Sequence, residues 1–166
     1  PKGKGIYFIP ITKSILNEIN SNNEIEISFK LISGLTRINN DSPYSLENPI
    51  RKIDGINFIT QPKNGLCGQT SVAMLTGASL EEVISLMGSK CSLSKVIETL
   101  DYFGIAHSSK MIYNLKEDCN LPKCCIINTE GHLTVFYDGK LYDSSKGILE
   151  SLDFNKITGY LEILTD

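Results

Sequence analysis

The chain has 166 residues, 41% of them apolar, and a formal net charge of −3. That length fits one domain, or one domain with an appended subdomain, and the apolar share is enough to bury a real core. The acidic balance argues against a nucleic-acid module, which would carry clustered Lys and Arg; Lys2 and Lys4 are too few to make a basic arm.

The first 55 residues read as a β/α front segment. "GIYFIPI" (5–11) is apolar and β-rich, and Pro10 confines it to an edge or a strand end. Thr12 can cap a short helix over 13–20. "EIEISFKLI" (24–32) alternates as a half-buried strand does. Residues 33–50 are rich in Asn, Ser, Pro and Gly and mark a loop or a boundary. "GINFITQ" (55–61) is a short extended approach to Cys67.

The middle is helical. Residues 67–75 are apolar nearly all round, which predicts a central, buried helix. Gly77 stops it. Ser79 and Glu82 form a capping box that opens a second helix over about 80–87, ended by Gly88. Ser92 caps a third over about 93–103, with Leu93, Val96, Ile97, Leu100 and Phe103 on one stripe.

The last third reads as β, with strands at about 105–112, 122–128, 132–137, 140–144 and 158–164. "FYDGKLY" (136–142) is a hairpin around a two-residue type I′ turn at Asp138-Gly139. Helices followed by strands indicate an α+β fold, with helices packed on an antiparallel sheet.

No apolar run reaches the roughly 18 residues of a membrane helix, and no signal peptide is visible. A soluble domain acting in a reducing cytoplasm is expected. The chain begins with Pro1 rather than Met, so it is expected to be a piece of a longer protein or a processed form. The five cysteines are odd in number and irregular in spacing, unlike a disulfide framework. Cys119, Cys124 and Cys125 lie close together, but without a histidine or a CxxC pair they do not read as a zinc site. Cys124 and Cys125 belong to a buried strand instead. No cofactor and no metal are expected.

Cys67 is the residue whose position asks for chemistry. A thiol attacks a carbonyl only as thiolate and with a base at hand. A helix start favours an anion through its unpaired N–H groups, and Gly65 and Gly68 permit a tight entry and a close approach. His132 opens a strand and supplies the base. With Asp138-Gly139 as the turn, Tyr137 faces Lys140, Val135 faces Tyr142 and Thr134 faces Asp143. His132, Thr134 and Asp143 then share a sheet face. Asp143 becomes a diagonal neighbour of His132 at roughly 7–8 Å between backbones, close enough for its carboxylate to orient the ring. A one-residue slip would send Asp143 to the other face, and a plain strand-end role competes with this one. Asn128 and Asp138 are poorer substitutes on parity. Gln61 can donate its side-chain amide to an oxyanion beside the Cys67 N–H. Gln69 is placed toward solvent or at a cap, His107 on a partly exposed strand, and Tyr137 and Tyr142 in packing roles.

Gln61, Cys67-Gly68, His132 and Asp143 stand in the order of the papain-like cysteine peptidases, and the stretch 61–147 resembles the bacteriocin-leader (double-glycine) peptidase branch. "CGQTSVAMLTGASLEEVISLMG" follows that branch's central helix, break and second helix; "LPKCCIINTEGHLTVFYDGKLYDSSKG" follows its buried strand, histidine strand, turn and aspartate strand. The chain departs from it at Leu66, where Asp is usual, and at Ser144, where Pro is common. The resemblance implies a papain-like catalytic domain over 56–166. It implies a peptidase acting on peptide or isopeptide bonds through Cys67, His132, Asp143 and Gln61. The same residues serve glutamine deamidases and transglutaminases, and an inactive peptide-binding relative would keep the cleft. The architecture also resembles the C-terminal toxin of a contact-delivered bacterial effector, whose partner would be a cognate immunity protein besides the polypeptide substrate.

Overall fold

The structure, a computed structural model, describes residue 38 and residues 41–113, 120–151 and 153–165. The chain divides between Ile32 and Ser33, and every described residue belongs to the second unit. The strands expected at 5–11 and 24–32 and the helix at 13–20 lie outside the described residues, as does Cys119.

Among the described residues three α-helices precede a six-stranded antiparallel sheet, so the architecture is α+β. The helices are α1 (Cys67–Thr76), α2 (Leu80–Met87) and α3 (Leu93–Tyr102). The strands are β1 (Ile112–Tyr113), β2 (Cys124–Thr129), β3 (His132–Tyr137), β4 (Lys140–Asp143), β5 (Gly147–Leu149) and β6 (Gly159–Glu162). They run in the order β1-β6-β2-β3-β4-β5. No described helix is long and apolar enough to cross a membrane.

Local signals set the helix ends. Ser79 Oγ accepts from the Glu82 amide at 3.1 Å and Ser92 Oγ from the Lys95 amide at 3.3 Å, each satisfying one orphan donor of a first turn. α1 is buried from Gly68 to Thr76. Its polar side chains bond back into backbone: Thr70 Oγ1 donates to Leu66 O and Thr76 Oγ1 to Val72 O, both at 2.8 Å. Ser71 Oγ donates to Leu133 O at 3.4 Å and ties the helix to β3.

Alternation along β2 and β3 divides the sheet into two faces. Cys124, Ile126, Leu133, Val135 and Tyr137 join the core around α1, while Cys125, Ile127 and Leu141 form a second cluster with Ile157 and Tyr160. Cys124 and Cys125 are buried, as their apolar setting predicts.

The hairpin forms as expected. Val135 pairs with Tyr142 and Tyr137 with Lys140, and Asp138 and Gly139 have φ of 48° and 82°, the double positive φ of a type I′ turn. The strand expected at 105–112 does not form. Only Ile112–Tyr113 pairs, plus an isolated bridge from His107 to Ile163. The Ser108 hydroxyl accepts from the Glu162 amide at 3.2 Å and donates to Lys110 O at 3.0 Å, so a side chain takes the ladder's place. Strand β5 was not expected at all.

Residues 42–50 pack on the end of α3. Tyr44 lies 5.8 Å from the Phe103 ring, and the Ile50 amide donates to Phe103 O at 3.0 Å. Gly104 permits that approach: its φ is +70°, and a Cβ there would stand 2.2 Å from Ser45 O. Gly104→Ala combines left-handed strain with a backbone clash and will cost about 2–4 kcal/mol. Gly139→Ala, with the same φ problem but open space, will cost less. Urea denaturation of the two variants measures the difference.

Candidate active site

Cys67 is the first residue of α1 and the only one of that helix not buried. Its N-cap, Leu66, is buried and makes no side-chain cap. The first-turn N–H groups, including that of Cys67, are therefore not satisfied by an N-cap side chain. Gly65, with φ +87°, supplies the sharp entry. Gly68 is closed in rather than open to a substrate: a Cβ there would meet Cys91 Sγ at 2.1 Å and Leu133 Cδ1 at 3.4 Å.

His132 begins β3, and its Nε2 lies 3.0 Å from Asp143 Oδ1. The register read from the turn chemistry places the two side by side. The imidazole is 29% exposed and the carboxyl 4%, so the ring opens outward from a buried anchor. Asp143 Oδ1 also accepts from the Ser145 hydroxyl at 2.7 Å, the Ser145 amide at 2.9 Å and the Lys146 amide at 3.2 Å. Burial would raise this carboxyl, but the hydrogen bonds from Ser145 and His132 outweigh it and hold Asp143 below the usual carboxylate range. An ionised acceptor on Nε2 keeps the proton on that nitrogen and leaves the lone pair on Nδ1.

The sign of the linkage follows. A carboxyl depressed in the fold adds stability that is complete above its unfolded value of about 3.9 and is lost as pH falls through the lower folded value. Asp143→Asn will flatten that acid limb relative to the parent in urea unfolding followed from pH 7 to pH 2. An unchanged limb would mean that the carboxyl is not ionised in this network.

Gln61 is joined to the same corner. Its backbone N–H donates to Ser144 O at 3.0 Å, and its Oε1 accepts from the Ser144 hydroxyl at 3.4 Å. The oxygen is thus occupied and the NH₂ donors are left over, which is the polarity an oxyanion needs. Ser144 and Ser145 escaped the sequence reading. Their only signal was the run "DSSK" after the aspartate, since Ser next to Asp often donates to it.

Cys67 borders a cavity of about 250 Å³ whose wall also includes Gly131 and Leu133, the two neighbours of His132. Leu133 faces α1, so alternation turns His132 and Asp143 to the other sheet face at the first position of the strand. Among the described residues no hydrogen bond joins the Cys67 sulfur to the imidazole. The structure thus brings together His132, Asp143, Ser144 and Gln61. Cys67 lies at the same end of β3, on a cavity wall that Gly131 and Leu133 share. Catalytic hydrogen bonds of resting enzymes often tighten only when substrate is bound.

The remaining candidates have structural roles. Gln69 is fully buried, not solvent-facing: its Nε2 donates to Gly88 O at 2.8 Å and ties α1 to the end of α2. His107 donates through Nδ1 to Ser108 O at 2.8 Å and pairs with Asp101 at 3.1 Å. Tyr137 and Tyr142 pack against the main core, as expected. No group of three or more metal-ligating side chains occurs among the described residues. No family model matches the chain, and no curated protein matches it.

Proposed function

We propose that the chain is a cysteine-dependent acyl-transfer enzyme, a peptidase similar to the papain-like enzymes, hydrolysing peptide or isopeptide bonds. The observation that carries this reading is the His132–Asp143 pair at 3.0 Å, set at the end of the sheet where the half-buried Cys67 opens an uncapped helix. His132 Nδ1 takes the thiol proton, and the Cys67 sulfur attacks the carbonyl carbon. The oxyanion is held by the Cys67 N–H and the Gln61 side-chain amide. The imidazolium returns the proton to the leaving amine, and water hydrolyses the thioester with His132 again as base. A second, larger cavity shares Leu93, Met111 and Tyr113 with the one at Cys67. The two adjoin as an apolar trough suited to an extended polypeptide.

The same chemistry on a glutamine side chain would give deamidation, or amine transfer if an amine replaces water. As a toxin domain of a delivered bacterial effector, the protein would be held inactive by an immunity protein covering this corner. The absence of a Cys67–His132 bond favours one other reading, an inactive relative that binds peptides in the trough.

Incubation with a peptide-like electrophile at neutral pH, followed by mapping of the labelled cysteine, separates these readings. The enzyme reading requires rapid labelling at Cys67 that His132→Ala slows. Equal, slow labelling of both proteins would leave only the binding relative. Mass spectrometry of candidate targets then distinguishes cleavage, a gain of about 1 Da from deamidation, or an amine adduct.

A further inference from the structure

A second sulfur stands beside the first, and the mechanism does not use it. Cys91 lies in the connection between α2 and α3 and shares the wall of the 250 Å³ cavity with Cys67. The backbone beside Cys67 is in direct contact with it. A Cβ built on Gly68 would meet Cys91 Sγ at 2.1 Å and Cys91 Cβ at 3.3 Å. Consecutive Cα atoms are about 3.8 Å apart, which keeps Cys91 Sγ within roughly 7 Å of the Cys67 Cα. A disulfide needs its Cα atoms roughly 4.4–6.8 Å apart, the spacing that the pair must reach for the bond to close. Cys67 and Cys91 are both free thiols and both half-buried. Cys124, by contrast, is sealed inside β2.

We propose that Cys67 and Cys91 form a reversible modification site for hydroperoxides, in which Cys91 captures the oxidised Cys67 as an intrachain disulfide. The proposal rests on the reading of Cys67 as the reactive thiol. In the first step the Cys67 thiolate attacks one peroxide oxygen. The S–O bond forms, the O–O bond breaks, sulfur gives up two electrons, and the departing hydroxide takes a proton to leave as water. In the second step the Cys91 sulfur attacks the Cys67 sulfur. The S–S bond forms, the S–O bond breaks, and the leaving hydroxide takes the Cys91 proton as a second water. Two thiols and one peroxide thus give one disulfide and two waters, and a dithiol reductant reverses the change by exchange.

The surroundings of Cys91 suit a thiol that waits. Burial pushes it up to about 11, the Cys67 charge adds to that push, and Lys95 opposes it. At rest it is protonated and does not compete for electrophiles. Once Cys67 is a neutral sulfenic acid, its part of the push is gone while Lys95 remains. Capture at this position also spares Cys67 from further, irreversible oxidation.

The test treats the full chain with hydrogen peroxide, then alkylates and maps it by mass spectrometry. The wild-type protein is expected to become about 2 Da lighter through a Cys67–Cys91 linked peptide, to lose electrophile labelling, and to regain it with a dithiol. Cys91→Ser, its fold checked by urea unfolding, is expected to end about 32 Da heavier at Cys67 and not to recover. Wild-type protein that gains about 32 Da at Cys67 while Cys91 stays alkylatable, or that links Cys67 to another cysteine, overturns the proposal. Labelling at Cys67 without any linkage removes this inference alone. Failure of both peroxide and electrophile to react at Cys67 removes the acyl-transfer reading with it.

Discussion

On the proposed acyl-transfer reading, Cys67→Ala and His132→Ala will each lose activity by about 10⁴- to 10⁶-fold while the fold survives. The two losses should be similar, because a sulfur without its base and a base without its sulfur fail at the same step. Neither change threatens the core. Cys67 packs at the edge of the core as the one residue of α1 that is not buried, and alanine is the better helix former. The His132 ring is partly exposed, so its removal opens no sealed cavity. Circular dichroism and urea midpoints close to the parent, beside turnover of the substrate the parent accepts, make the measurement. Full activity in either variant ends the claim that these two residues form a catalytic pair.

Asp143→Ala will lower turnover by about 10²- to 10⁴-fold, whereas Asp143→Asn will stay within about tenfold of the parent. The difference follows from a single atom. The hydrogen bonds to the Asp143 carboxyl, from His132 Nε2, Ser145 Oγ and the amides of Ser145 and Lys146, all end on Oδ1. Asparagine keeps an oxygen able to accept all four and so keeps the ring's orientation and tautomer. Alanine leaves the ring unanchored and strips the Ser145 amide of its acceptor, while the Lys146 amide keeps Asp143 O, so its stability will fall as well. The pattern separates orientation from charge. An Asn variant as impaired as the Ala variant would mean that the negative charge itself is needed beside the imidazolium. Equal activity of all three proteins would remove Asp143 from the mechanism.

The features legible in the sequence were those whose cause is local. Asp138-Gly139 fixes the hairpin register within a few residues, and from that register the His132–Asp143 pairing follows by counting. Ser79 and Ser92 mark helix starts because each side chain bonds an amide three residues ahead. Long-range partners were not legible. Gln69 looks like a solvent residue until the fold brings Gly88 O to its amide, and the Ser144–Gln61 contact spans 83 positions. The failure at 105–112 has a different source: the apolar pattern was present, but the Ser108 hydroxyl won the hydrogen bond that a ladder needed. Strand β5 has three residues and pairs only with β4, too little for any periodicity to announce it.

The burial of α1 on all sides has a consequence for how this protein fails when heated. A segment surrounded by core cannot fray by itself, so the footing of Cys67 disappears only when the whole unit melts. Amide protons along 70–76 should therefore exchange with deuterium no faster than global opening allows. Thermal inactivation should then track the cooperative transition rather than precede it.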